Sequence, residues 1–117
     1  MAIVLHGTTW LRATRIVAGG PDPKLMGGDG FSTYLEAGPF LFGTPEEYAC
    51  AKAAAFPNEG GAAILAVDVP DDIVALTLDE YFPLSQGLVQ FDDAKGLSEL
   101  RAAWSSLWTE IRSVACP

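Results

Sequence analysis

The chain reads as one α+β domain spanning residues 1–117, and three observations carry that reading. Short apolar runs rich in β-favouring residues are set off by Gly, Pro and Asp turns. Helical signals fall between several of these runs. Their order, β-α-β-α-β-β-β-α, lacks the strict alternation of a doubly wound parallel sheet. With 117 residues, half of them hydrophobic, the chain has enough apolar surface for a core of its own.

Ala2 to His6 is the first strand, which brings the chain's only histidine to its end, and Gly7-Thr8-Thr9 turns into a helix. Trp10, Leu11, Ala13, Ile16 and Val17 recur near helical spacing up to Ala18. Thr8 or Thr9 caps this helix and Gly19-Gly20-Pro21 ends it. Pro21 to Gly30 is turn-rich, and its Gly27-Gly28-Asp29-Gly30 run reads as a loop rather than a phosphate cradle. Phe31 to Leu35 favours a strand, and Phe40 to Phe42 is a second short apolar piece. Thr44-Pro45-Glu46-Glu47 is a helix start, with a capping threonine, proline at the first position and a glutamate placed for a capping box. The alanine-rich helix Tyr48 to Phe56 follows, Tyr48 being a packing residue, until Pro57-Asn58-Glu59-Gly60-Gly61 stops it. Ala62 to Val69 is a strand, Ile73 to Leu78 a weaker strand or edge, and Gly87 to Phe91 another strand. Leu97, Leu100, Trp104, Leu107, Trp108 and Ile111 trace one face of a C-terminal helix capped by Ser98, with both tryptophans in the core.

Charge and composition narrow the function. Seven basic residues against fifteen acidic ones leave a net charge of −8. The basic residues are scattered, with Arg12 and Arg15 the one adjacent pair, so nucleic acid is not an expected partner. An acidic surface leaves a basic protein as a partner class. No apolar run approaches the roughly 18–20 residues that span a bilayer, and Ala2 to Leu5 is too short for a signal peptide, so a soluble cytoplasmic protein is expected. In a reducing compartment Cys50 and Cys116 are read as free thiols. One histidine and two separated cysteines give no metal-ligand set, and Asp71-Asp72 and Asp92-Asp93 read as turn residues.

A series of motifs gives the chain a resemblance. His6-Gly7-Thr8 is followed by Ala13-Thr14-Arg15-Ile16, Gly38-Pro39-Phe40-Leu41-Phe42, Glu47-Tyr48-Ala49 and Ala66-Val67-Asp68-Val69-Pro70. In this order, over roughly residues 3 to 70, they resemble the ADP-ribosyltransferase fold of diphtheria-toxin-like and poly(ADP-ribose)-polymerase-like enzymes with a His-Tyr-Glu triad. The chain is also similar to small bacterial proteins with His-Gly-Thr-Thr openings and a Phe-Pro-Asn-Glu-Gly-Gly turn, which implies no activity.

The first resemblance implies a compact, short-stranded split sheet with flanking helices and NAD as substrate. His6 would hold the adenosine ribose, Gly7 the nicotinamide amide through its backbone, with Thr8 beside them. Phe40 or Tyr34 would stack on the nicotinamide ring. The triad acid falls near Gln86, an amide that supplies no negative charge; Glu80 or Glu36 would substitute if delivered to the cleft. The implied activity is an ADP-ribosyltransferase or NAD glycohydrolase, the other class being a non-catalytic nucleotide-binding or protein-binding module. The RNA 2′-phosphotransferase branch of the fold needs clustered basic groups and ranks below NAD chemistry for that reason.

Overall fold

A computed structural model describes residues 2–25, 30–40, 43–77 and 87–117. Five strands form one antiparallel sheet in the order β4-β2-β1-β3-β5. They are β1 (Ala2–Thr9), β2 (Phe31–Leu35), β3 (Ala62–Val69), β4 (Leu88–Phe91) and β5 (Thr109–Ser113). The helices are α1 (Trp10–Gly19), α2 (Pro45–Ala55), α3 (Asp71–Ala75) and α4 (Leu97–Ala103); one 3₁₀ turn, Pro23–Leu25, follows α1 and another, Trp104–Ser106, continues α4.

Alternation along the strands sorts side chains onto two faces. On one, Val4, Leu65, Val67, Phe31 and Phe91 pack with Ala13 of α1, Ile73 of α3, Leu97 and Leu100 of α4, and Trp104. On the other, Leu5, Ile64 and Ala66 pack against Ala49 of α2. Being covered on both faces explains why β3 is apolar almost without interruption. The small side chains of α2 let it lie close to β1, and Gly7 completes that fit. A Cβ at Gly7 would collide with the Pro45 carbonyl oxygen and stand 2.9 Å from the Ala49 nitrogen.

The junction between β1 and α1 is tightly specified. Thr9 ends the strand and caps the helix, its hydroxyl accepting from the Arg12 N–H at 3.3 Å. The two preceding N–H groups, which no helical carbonyl reaches, donate to the loop after α2. Trp10 donates to Gly61 and Leu11 to Glu59, both at 2.9 Å. The Phe-Pro-Asn-Glu-Gly-Gly turn thus serves as an external cap for α1. Thr44 caps α2 through the Glu47 N–H at 3.2 Å, with Pro45 at the first helical position as the sequence predicts.

Several expectations are corrected. The first strand does not end at His6 but runs to Thr9. Residues 71–75 are a short helix, because Ile73 and Val74 both turn inward and donate to the Pro70 carbonyl, at 3.0 and 3.1 Å; Leu78 lies outside the described residues. The helical spacing that continues to Ile111 is overridden after Ser106. The open edge of β3 takes Thr109–Ser113 as a strand instead, with Leu65 opposite Ile111. Gly96, in the left-handed region at φ 79°, precedes α4 where Ser98 was expected as its cap. Trp104 is buried as expected, whereas Trp108 is 47% exposed. Phe40 lies in a loop, and Leu41 and Phe42 are outside the described residues. Asp92 does act as a turn residue, accepting from the Ala94 N–H at 3.0 Å.

The free-thiol expectation is overturned. Cys50 on α2 and Cys116 in the C-terminal segment form a disulfide across 66 positions of sequence. Val114 of the same segment donates to Ala62 at 3.0 Å and packs on the face that α2 covers. A link over so long a span restricts the unfolded chain, and native disulfides of this kind contribute about 2–5 kcal/mol. Urea unfolding with and without reductant is expected to show that loss, and Cys50→Ser should reproduce it without reductant. An unchanged midpoint in both would mean the link contributes nothing.

Candidate functional site

The strand β1 is paired unequally. With β3 it pairs along its whole length, from Ala2↔Val69 to Thr9↔Ala62. With β2 the register pairs are Val4↔Leu35 and Leu5↔Tyr34, and there the ladder stops. The next hydrogen-bonding rung would set Gly7 opposite Ser32. Instead the Ser32 carbonyl receives the His6 side chain, with Nδ1 at 2.8 Å. Ile3 accepts from the Glu36 N–H on the β2 side at 3.0 Å. Backbone direction repeats every second residue, so Gly7 presents its N–H and C=O on that same side, toward the parted strands. The five strands remain one sheet, with β1 and β2 parting at this end.

A cleft of about 910 Å³ occupies the split, large enough for an extended nucleotide. His6, Gly7, Thr8 and Tyr34 all line it, so four of the predicted site residues meet in one place. The His6 ring lies 4.5 Å, centroid to centroid, from Phe31, which in turn packs against Phe91 and Trp104. Burial against this aromatic core, with the charge of Lys52 as a lesser cause, lowers the His6 pKa to about 4 even though the Ser32 bond favours the protonated ring. The imidazole is therefore neutral near pH 7. A carbonyl only accepts, so Nδ1 carries the proton and Nε2 is left as an acceptor. His6 is thus bonded to a neighbouring backbone and also lines the cleft.

Of the two aromatic candidates, Tyr34 lines the cleft and Phe40 does not. Its ring is 6.3 Å from Phe40, edge on, and 5.7 Å from Tyr48. Tyr34 is buried, Phe40 is 39% exposed and Tyr48 51% exposed. Tyr48 was expected as a packing residue of α2; it instead stands at the cleft beside Tyr34. Burial above all, then hydrogen bonding and charge at Tyr48 and the charge of Glu47, raise the Tyr34 pKa, so its phenol stays protonated. These rings offer a flat wall and a hydroxyl donor, not a base.

The acids are differently disposed. Glu36 pairs with Arg112 at 2.9 Å, and Arg112 also holds Glu110 at 2.8 Å. Glu36 is thus directed to β5 and is not delivered to the cleft. Gln86 and Glu80 lie outside the described residues, as do Gly27, Gly28 and Asp29. Among the described residues, Asp22 is the acid lining the cleft, 3.9 Å from Arg101, and no cluster of three or more His, Cys, Asp or Glu is placed to hold a metal ion.

Residues that are scattered in sequence converge in space. Arg12, Arg15, Lys52 and Arg101 all line the cleft, four of the chain's seven basic residues. This corrects the expectation of unclustered cations and removes the ground for ranking phosphate-directed chemistry lower.

Compared with known protein families, curated protein sequences and solved structures, the chain matches none.

Two outcomes follow. An unfolded histidine binds its proton near pH 6.5 but folded His6 only near 4, so between these values the unfolded state holds more protons. The His6 contribution is complete above pH 6.5 and is lost as pH falls toward 4, up to about 3 kcal/mol. Urea unfolding across this range should show a steeper acid loss in wild type than in His6→Gln; equal slopes would contradict it. Gly7→Ala should cost about 1–3 kcal/mol through its clash with α2, measured by the same method; no loss would mean α2 does not sit against Gly7.

Proposed function

We propose that the split in the sheet is a binding cleft for NAD and that the protein is an ADP-ribosyltransferase or NAD glycohydrolase of the His-Tyr-Glu type. The observation that carries this reading is the interrupted rung, where Gly7 and His6 both line one opening while His6 Nδ1 is held by the Ser32 carbonyl and Nε2 is left to accept. A carboxamide has one donor group and one acceptor group, which the Gly7 C=O and N–H complement in the manner of a strand. A ribose hydroxyl can donate to His6 Nε2. Tyr34, with Phe40 and Tyr48 around it, supplies the aromatic surface for nicotinamide. In the reaction the bond from the ribose anomeric carbon to nicotinamide breaks, its electron pair leaving with the ring. Water or an acceptor nucleophile then forms the new bond and gives up a proton.

A second reading has its own support: a module that binds nucleotide, or a basic protein, without turnover. Glu36 is committed to Arg112, and Asp22 lies against Arg101, so neither is free to steady a developing cation. The Cys50–Cys116 bond also favours an oxidising compartment over the reducing cytoplasm first expected. No helix among the described residues is long and apolar enough to cross a membrane.

The test is a titration with NAD followed by proton NMR, with His6→Ala beside wild type. Binding with release of nicotinamide, weakened at least tenfold in the variant, is the expected result. Binding without release would favour the non-catalytic module. No binding at millimolar NAD would overturn the NAD reading.

A further inference from the structure

The cations around the cleft are not equivalent, and their pairing identifies the two that are free to meet a ligand. Arg12 is engaged. Its Nε donates to Glu59 Oε1 at 2.7 Å, its Nη2 reaches Oε2 at 3.4 Å, and its guanidinium lies 4.0 Å from the centre of the Phe56 ring. Thr9 donates to the same carboxylate at 2.8 Å, which fixes Glu59 at the base of α1. These bonds to Arg12 and Thr9 also hold the Glu59 carboxyl below its ordinary range, so it stays charged opposite Arg12. Arg101 is engaged too, donating to the Pro21 carbonyl at 2.9 Å and lying 3.9 Å from Asp22.

Arg15 and Lys52 differ from these. Among the described residues neither makes a hydrogen bond or ion pair to an acid. Arg15 stands one helical turn from Arg12 on α1, near enough to act on Glu59. Lys52 stands on α2, one turn from Tyr48, with Nζ 5.9 Å from the Phe56 ring that Arg12 also covers. It is close enough to His6 to help keep that ring neutral. Charge balance inside the cleft is then simple. Arg12 is bonded to Glu59 and Arg101 lies against Asp22, which leaves Arg15 and Lys52 as the cleft cations with no hydrogen bond or ion pair to an acid among the described residues, in a chain whose net charge is −8.

We propose that Arg15 and Lys52 form a seat for a dianion, and that the ligand of this cleft carries a diphosphate there. The identification of NAD as that ligand rests on the proposed function above; the seat itself does not. Two cations from different helices, α1 and α2, suit a two-charge group that bridges them better than a single carboxylate. The protein's overall negative field repels anions, so the attraction is local and selects for ligands that place phosphates in the cleft. The seat also sets a polarity: phosphates toward Lys52 and Arg15, ribose at His6, and the uncharged ring toward Tyr34 and Gly7.

The experiment uses the intact, disulfide-bonded chain, with inorganic pyrophosphate, NAD and nicotinamide riboside as probes in calorimetric titrations at low salt. Variants are Arg15→Gln and Lys52→Gln, with Lys24→Gln, an exposed side chain that does not line the cleft, as control. Circular dichroism checks that each is folded. Pyrophosphate and NAD should each bind at least fivefold more weakly to either cleft variant, with no change for Lys24→Gln and none for the riboside. The difference should shrink in 0.5 M salt, on the order of the screening expected when the Debye length falls to a few ångströms. Pyrophosphate affinity unchanged in both cleft variants, or no pyrophosphate binding to wild type, would overturn the seat. If NAD fails on wild type while pyrophosphate behaves as expected, the seat stands and the NAD reading falls. If NAD binds but is indifferent to both substitutions, the seat falls and the NAD reading stands.

Discussion

The hydrogen bond between His6 and the Ser32 carbonyl sets the terms for the rest of the site. Strand β1 is held along its whole length by β3, so it cannot shift. Strand β2 follows it for two register pairs and then parts from it, with β4 still attached. A parted ladder leaves carbonyl and N–H groups without partners, which is costly if they are buried. The imidazole answers part of that need from within β1. In doing so it takes up a fixed tautomer and a fixed position, and the opening that remains keeps its shape without a ligand.

Other contacts support that opening from both sides of the sheet. The loop at Glu59–Gly61 supplies acceptors to the first N–H groups of α1, and the Glu59 side chain holds Thr9 and Arg12 together. Helix α1 is thereby locked to the end of α2. On the opposite face Gly7 admits α2 to contact distance, and the link from Cys50 to Cys116 ties that helix to the C-terminal segment. The two helices that carry Arg15 and Lys52 are thus fixed to the same strand by unrelated means: a polar cap on one face and close packing with a covalent link on the other.

What was legible in the sequence follows from range. Thr44-Pro45 and the apolar run Ala62 to Val69 announce a helix and a strand through their neighbours alone, and both elements form there. His6, Gly7 and Thr8 stand out locally as polar or bare residues in an apolar strand, Tyr34 enters only through the family resemblance, and all four share the cleft. Trp108 and Ile111 were misread because their spacing continues that of Leu97, Leu100 and Trp104; only the unpaired edge of β3, far away in sequence, makes that segment a strand. The pairing of Cys50 with Cys116, the diversion of Glu36 to Arg112, and the convergence of Arg15 and Lys52 on one cleft all depend on the same long-range closure. No local pattern encodes them.

His6 faces the cleft as a neutral ring protonated at Nδ1. Because the chain has one histidine, long-range proton–nitrogen correlation spectra of the ¹⁵N-labelled protein report on that ring without ambiguity. The account predicts the Nδ1–H tautomer at pH 7, no protonation until the pH approaches 4, and a shift confined to Nε2 when NAD is added. An Nε2–H tautomer, or ordinary titration near pH 6.5, would contradict it.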